Sequence, residues 1–221
     1  MPGCASATGA KAPLPGAPSF VETSSSQGHV SGRWHGRDHD PAIDPCPLNP
    51  VASPLQIRPF ESADWPGIWV LLEPVFRAGE TFPHDPSITE AEARTLWVEQ
   101  SQAVLVALDA SDNVVGSYYL RPNSLSLGAH VANAGYVVAE HCRRQGIGSR
   151  LCQHSLQAAR QLGFRAMQFN LVVCTNTAGL RCWERNGFQV VGTLPGAFRH
   201  QRLGYVDALV MVQSVVEEPE R

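Results

Sequence analysis

The sequence has no block of lysine or arginine. Its 17 basic and 20 acidic side chains give a formal net charge of -3. Neither nucleic acid nor an anionic membrane is expected as the main partner of such a chain. A nucleotide-like ligand needs only a local cluster of donors and is not excluded. No apolar run approaches the roughly 20 residues that a membrane helix needs. No basic stretch followed by an apolar one opens the chain, as a secretory signal would. The six cysteines, Cys4, Cys46, Cys142, Cys152, Cys174 and Cys182, form no C-x-x-C pair and sit at no zinc-ligand spacing with histidine. Reduced thiols, a cytoplasmic location and no metal site are the expectations. No internal repeat is visible.

What is present is the composition of a soluble globular protein, 43% hydrophobic and 17% charged over 221 residues. Residues 1–53 read differently from the rest. Eight of the seventeen prolines precede Val51, serine and glycine are frequent, and apolar periodicity is missing. Such a segment buries too little surface to offset its ordering entropy and is expected to be a disordered extension. His29, His35 and His39 lie in it and read as solvated residues. A domain over residues 54–215 and a short tail over 216–221 complete the division. A domain of this size buries about 70% of its unfolded surface, enough for its own core.

Leu55 to Pro59 alternates apolar and polar, as a first strand does. Asp64 suits a helix cap ahead of the stripe Ile68, Leu71, Leu72, Val75 and Phe76. Thr89 and Glu92 have the spacing of a capping box for a second helix. Ala103–Leu108 and Val114–Leu120 read as a hairpin, and Val131–Val138 as a further strand. A helix closed by Gly163, a buried strand Ala166–Val173 and a short helix closed by Gly187 follow. Strands at Phe188–Val191 and Tyr205–Val212 end the chain, joined by a connection over Leu194–His200. The order β-α-α-β-β-β-α-β-α-β-β predicts a mixed sheet flanked by helices.

The chemistry concentrates at Val138-Ala139-Glu140-His141-Cys142-Arg143-Arg144-Gln145-Gly146-Ile147-Gly148. A strand ends, two arginines follow, and Gly-x-Gly opens an amphipathic helix. Glycine lets a ligand approach the backbone closely. The first N–H groups of a helix have no internal acceptor, and the helix dipole adds about half a positive charge there. These features suit a pyrophosphate, with Arg143, Arg144 and Arg150 as supplementary donors. The pattern is neither G-x-G-x-x-G nor a Walker loop. By itself it is equally compatible with glycines that only shape a turn.

A second motif accompanies it. Arg143-x-x-Gly146-x-Gly148 matches the [RQ]-x-x-G-x-[GA] signature of the GNAT superfamily of acyl-CoA-dependent N-acetyltransferases. Asn176-x-Ala178 followed by Trp183-Glu184-Arg185-Asn186-Gly187-Phe188 resembles that family's N-x-A-x(4)-Y-x-x-x-G-F element. The resemblance covers residues 55–214. It implies an α/β (α+β) fold with a mixed, mostly antiparallel sheet whose central strands splay apart. It implies acetyl-CoA as cosubstrate and no metal. Val137 and Val138 would pair with the pantetheine arm. The amides of Arg143, Arg144, Gln145, Gly146, Ile147 and Gly148 would wrap the pyrophosphate, and Asn176 would reach the pantetheine. A main-chain N–H near Val137 would polarise the thioester. One departure stands out: Trp183 occupies the place of the tyrosine that often protonates the departing thiolate. An indole N–H donates a hydrogen bond but is no usable acid. Trp183 either orients the thiolate or only packs.

Asn133 and Asn170 each interrupt an apolar strand, where a bare amide is expensive. Facing the slot, they would bind a substrate's carboxylate or amine; otherwise they bond to neighbouring backbone. The pair resembles the subgroup that acetylates proline-type amino acids such as azetidine-2-carboxylate. Glu140 is the first candidate for a base, with His130, Asp207, Glu80 and His84 behind it. Arg199 or His200, on the connection before the last strand, would face an anionic group. The expected acceptor is a small-molecule amine, and a homodimer is compatible with the pattern. A non-catalytic acyl-CoA-binding domain and a protein lysine or N-terminal acetyltransferase are the alternatives.

Overall fold

The computed structural model describes Leu55–Val216. The expected extension over residues 1–53, its three histidines and the residues after Val216 lie outside that range. Seven strands form one sheet: β1 (Gln56–Pro59), β2 (Ala103–Leu108), β3 (Val114–Pro122), β4 (Val131–Val138), β5 (Ala166–Val173), β6 (Gln189–His200) and β7 (Gly204–Ser214). Their spatial order is β1-β2-β3-β4-β5-β7-β6. Every neighbouring pair is antiparallel except β4 and β5, which run parallel.

Four helices cover the sheet: α1 (Trp65–Ala78), α2 (Glu90–Arg94), α3 (Ile147–Gln161) and α4 (Thr177–Arg185). The alternation of strand side chains sorts the core into two layers. On β3, Tyr118 and Leu120 pack with Leu151, Cys152 and Ala159 of α3, together with Met167, Phe169 and Phe188. Tyr119 points the opposite way, to a core of Ile68, Leu72, Phe76, Trp97, Val106 and Val137 under α1 and α2. Fully burying one such leucine stabilises by about 1.5–3 kcal/mol relative to leaving it exposed.

The capping box is present: the Thr89 amide donates to Glu92 Oε2 at 2.8 Å, and the Glu92 amide donates to Thr89 Oγ1 at 3.3 Å. The helix it starts widens into a π turn over Thr95–Glu99. There the buried Trp97 indole donates to Ser117 Oγ at 3.1 Å.

One expectation is refined and another corrected. Asp64 occupies the N-cap position of α1 as expected, but its side chain makes no capping bond there. Its carboxylate instead accepts from the two terminal guanidinium nitrogens of Arg58 at 2.8 Å and from the Glu61 amide at 2.7 Å. The segment Leu194–His200 is no connection but part of β6. Pairing with β7 resumes at Phe198 after a shift beyond Leu194. The residues between bulge outward, with Gly196 at φ 59°. A bulge lets a strand absorb the turn-forming Pro195 and Gly196 without ending.

Candidate active site

The sheet comes apart at its centre. β4 and β5 are paired only at Val131–Ala166 and Ala132–Met167. From Asn133 onward the two strands diverge and leave a V-shaped slot that opens toward their C-terminal ends. The hydrogen-bond parity of β4 follows from its other neighbour. The Ala139 amide donates to Val115 O, and Val131 O accepts from the Asn123 amide. Odd-numbered residues of β4 therefore turn their main-chain groups toward β3, and even-numbered ones turn them toward β5. Ala134, Tyr136 and Val138 present N–H and C=O to the slot. The expectation for Val137 is corrected on this ground: its amide belongs to the β3 ladder, and its side chain is buried beneath α1.

Beyond β4 the chain turns sharply. Arg144 at φ 64° and Gly146 at φ 79° both adopt the left-handed conformation. Gly146 is the residue before α3 and offers no side-chain cap. The first main-chain bond at this end of α3 runs from the Arg150 amide to Gly146 O. The amides of Ile147, Gly148 and Ser149 consequently have no acceptor within the helix. A Cβ added at Gly146 would meet nothing within 4 Å, so the turn is open on that side of Gly146. Buried Ile147 anchors the turn to the core, while Gln145 Nε2 donates to His141 O at 3.2 Å. Arg143 and Arg144 are exposed at the rim. Arg150 is occupied elsewhere, donating to Leu55 O at 3.0 Å.

The opposite bank of the slot carries Asn176, which caps α4 by accepting from the Gly179 amide at 3.0 Å. Its Nδ2 makes no hydrogen bond with the described residues. Between the banks lies an aromatic block. The Trp183 ring sits 4.7 Å from Tyr136 of β4 and 4.9 Å from Phe169 of β5, centre to centre. Phe188 stacks on Phe169 at 4.3 Å. Trp183 thus packs against one ring from each strand on the α3 and α4 side of the sheet.

At the vertex the two asparagines are brought together. Asn133 Nδ2 donates to the Gln168 carbonyl at 2.9 Å, crossing the point where the ladder fails. Gln168 Nε2 donates to Asn170 Oδ1 at 2.8 Å, and Asn170 Nδ2 donates to Asn123 Oδ1 at 2.6 Å. The result is a chain of neutral amides on the α1 and α2 face. Next to it, Tyr119 lies across Gly135. A Cβ at Gly135 would stand 2.5 Å from the Tyr119 ring, so glycine here is what lets the phenol lie over β4. The Arg121 guanidinium stands 4.9 Å above that ring. His84, edge-on to Phe76 at 5.3 Å, faces the same cluster. Burial pushes its pKa down, and Arg121 adds to the shift.

This face is closed from two sides. α1 lies over β3 and β4, whereas the β6–β7 hairpin rises beyond β5. They meet where Arg202 Nε donates to Glu80 Oε1 at 2.8 Å and Gln201 packs on Gly79. A cover of this kind bridges the slot.

The remaining candidates are dispersed. Glu140 is exposed just beyond the end of β4 and ion-paired with Arg143 at 3.2 Å. It stands five residues past Gly135, about 16 Å along an extended chain. Its exposure and its ion pair set it at the solvent rim, away from the asparagines at the vertex. His130 bonds Leu127 O, and Asp207 accepts from the Gly196 amide at 2.8 Å. His200 is buried and accepts from the Arg202 amide at 3.2 Å, and Arg199 is exposed on β6. Tyr119, Arg121, Asn123 and Gln168 were missed. The polar alternation Tyr119, Arg121, Asn123 at the end of β3 was the signal for three of them.

Among the described residues, no cluster of three or more His, Cys, Asp or Glu side chains is placed to hold a metal ion, and no helix is long and apolar enough to cross a membrane. A model of the Acetyltransferase (GNAT) family matches residues 65–188. N-acetyltransferase aca1 of Schizosaccharomyces pombe is 31% identical over 150 residues, which are 60% of this chain and 71% of that protein. A GCN5-related N-acetyltransferase from Kribbella flavida superposes with a TM-score of 0.69 at 44% identity, over 72% of this chain and 97% of that one. A phosphinothricin acetyltransferase from Sinorhizobium meliloti, solved with AcCoA, is alike in fold, with a TM-score of 0.65 at 18% identity over 72% of this chain and 88% of its own. With the family's model spanning more than half of its length, the protein belongs to the GNAT family of acetyl-CoA-dependent N-acetyltransferases.

Proposed function

We propose that the protein moves the acetyl group of acetyl-CoA to the amine of a small molecule, an amino acid or a proline-like imino acid. The observation that carries this is the open seam between β4 and β5, which leads from slot-facing main-chain groups to the free amides at the start of α3. The diphosphate fits those amides, because they lack acceptors and the space before Gly146 is open. Arg143 and Arg144 flank it. Tyr136 and Val138 pair their main chain with the pantetheine arm, and Asn176 offers Nδ2 from the opposite bank.

Bound acetyl-CoA supplies the activated acetyl group. The rest is placement by this chain's residues. Slot-facing amides of β4 polarise the carbonyl, an effect strongest in a water-poor site. Asn133 and Asn170 position the acceptor near the vertex, and holding two reactants together supplies several kcal/mol of a barrier. The cover over the α1 and α2 face desolvates the amine, which lowers its pKa from about 10 and raises the neutral, reactive fraction. Trp183 lines the thiolate side. A thiol of pKa about 8.5 leaves acceptably without an acid. The narrowed acceptor face favours a small molecule over a polypeptide.

Thiol release from acetyl-CoA, screened with amino acids, proline analogues and polyamines, tests the reading. Turnover with amino or imino acids is the expected result. Cofactor binding by calorimetry without turnover of any amine would replace it with a non-catalytic acyl-CoA-binding role.

A further inference from the structure

The described residues hold three half-buried arginines, Arg58, Arg94 and Arg121, and the others are exposed. Arg58 binds Asp64 at 2.8 Å, and Arg94 has Glu99 at 3.9 Å. Arg121 has no carboxylate within ion-pair distance and donates no hydrogen bond among the described residues. A cation drawn partly out of water is costly unless an anion or acceptor compensates it. The pattern is that of a site whose partner arrives from outside.

Its position says where that partner sits. β3 sets Arg121 directly opposite Asn133 in the ladder, at the level where β4 and β5 begin to part. Its side chain shares a face with Tyr119, whose ring carries the guanidinium at 4.9 Å and lies over Gly135. The side chains around it, Asn133, Asn123, Asn170 and Gln168, are neutral amides, so none competes for the charge. The cation's field also reaches His84 and Tyr119, lowering the pKa of each against the effect of burial at Tyr119 and with it at His84.

We infer that Arg121 is a specificity-determining residue that grips a carboxylate of the acceptor and sets its amine toward the vertex beside Asn133. A guanidinium presents paired, coplanar N–H groups that match a carboxylate, and stacking on Tyr119 fixes its plane. The same charge disfavours polycationic acceptors. The inference rests on the reading of the slot as an amine acetylation site.

The test compares an amino acid acceptor with its carboxamide. Initial rates of thiol release are measured for the wild-type protein, Arg121→Gln and Arg121→Lys. The wild type is expected to prefer the acid by at least about tenfold in kcat/KM. Arg121→Gln lowers kcat/KM for the acid by about 100-fold, chiefly through KM, and leaves the carboxamide nearly unchanged. Arg121→Lys restores part of the preference, because the charge survives without the fork. Calorimetric binding of acetyl-CoA stays at the wild-type value in both variants, which separates this effect from misfolding. An acid-to-carboxamide ratio near one in the wild type, or one that Arg121→Gln leaves intact, overturns the role of Arg121 while acetylation itself stands. No thiol release with any amine overturns both.

Discussion

His84 shows how one side chain reports on its surroundings. Its ring stacks near Phe82 at 6.2 Å and meets Phe76 edge-on, so the imidazolium is disfavoured first by burial and then by Arg121. The unfolded chain takes up a proton at this position near pH 6.5, and the folded one does so only at lower pH. The unfolded state therefore binds more protons just below pH 6.5, and stability falls as the solution is acidified through that window. His154, whose Nδ1 shares a 2.7 Å hydrogen bond with the Tyr118 hydroxyl, is shifted the same way by burial. Urea midpoints between pH 5 and 7 are expected to decline more gently with acidification in His84→Gln than in the wild type, with His154 accounting for the remainder. Equal slopes would show that His84 is not held neutral. At this scale the sequence was legible where a residue offended its surroundings. Asn133 and Asn170 were visible as amides inside apolar strands, but only Asn133 is partly buried, and Asn170 is exposed. Arg121 was not, because an arginine near a strand end is unremarkable until its half-burial and missing partner are known.

Helix α3 and its approach form the element on which the proposed capture of acetyl-CoA rests. Gly146 is confined to positive φ, where an L side chain costs about 1–2 kcal/mol. It also faces open space, and on the proposed reading an added methyl group would crowd the diphosphate there. Gly146→Ala is expected to lower the urea-unfolding free energy by about that amount and to weaken acetyl-CoA by tenfold or more in calorimetry. A variant equally destabilised but binding normally would mean that the glycine serves the turn alone. The glycines, the arginines and the amphipathic run made this element readable in advance. β6 was not, since Pro195 and Gly196 are turn residues and a strand that bulges around them is decided by β7 across the ladder. The π turn after α2 was hidden for a like reason: it is set by how Trp97 seats against Ser117, not by helix propensity.

Taken whole, the domain formed by the described residues is a sheet paired on both flanks of a central rift. The order of elements was recoverable from periodicity, but the parity that aims Tyr136 and Val138 at the rift and Val137 away from it depends on register, which periodicity does not fix. Amide hydrogen exchange resolved by NMR separates the two sets. The amides of Ala134, Tyr136 and Val138 are expected to exchange readily in the free protein and to slow when coenzyme A is added. Those of Gly135 and Val137 are protected in both states. Indistinguishable behaviour of neighbouring residues would contradict the assigned parity.

The aromatic block formed by Tyr136, Phe169, Trp183 and Phe188 has a bearing on how tightly anything can be held there. Trp183 packs against a ring from each strand, so the wedge between β4 and β5 is built from the protein's own core. A visitor entering such a gap has little chain left to freeze, and the loss of freedom that weakens most encounters has already been absorbed. Shrinking the wedge should thus let the banks sag together and turn a rigid socket into one that each guest must first pry open.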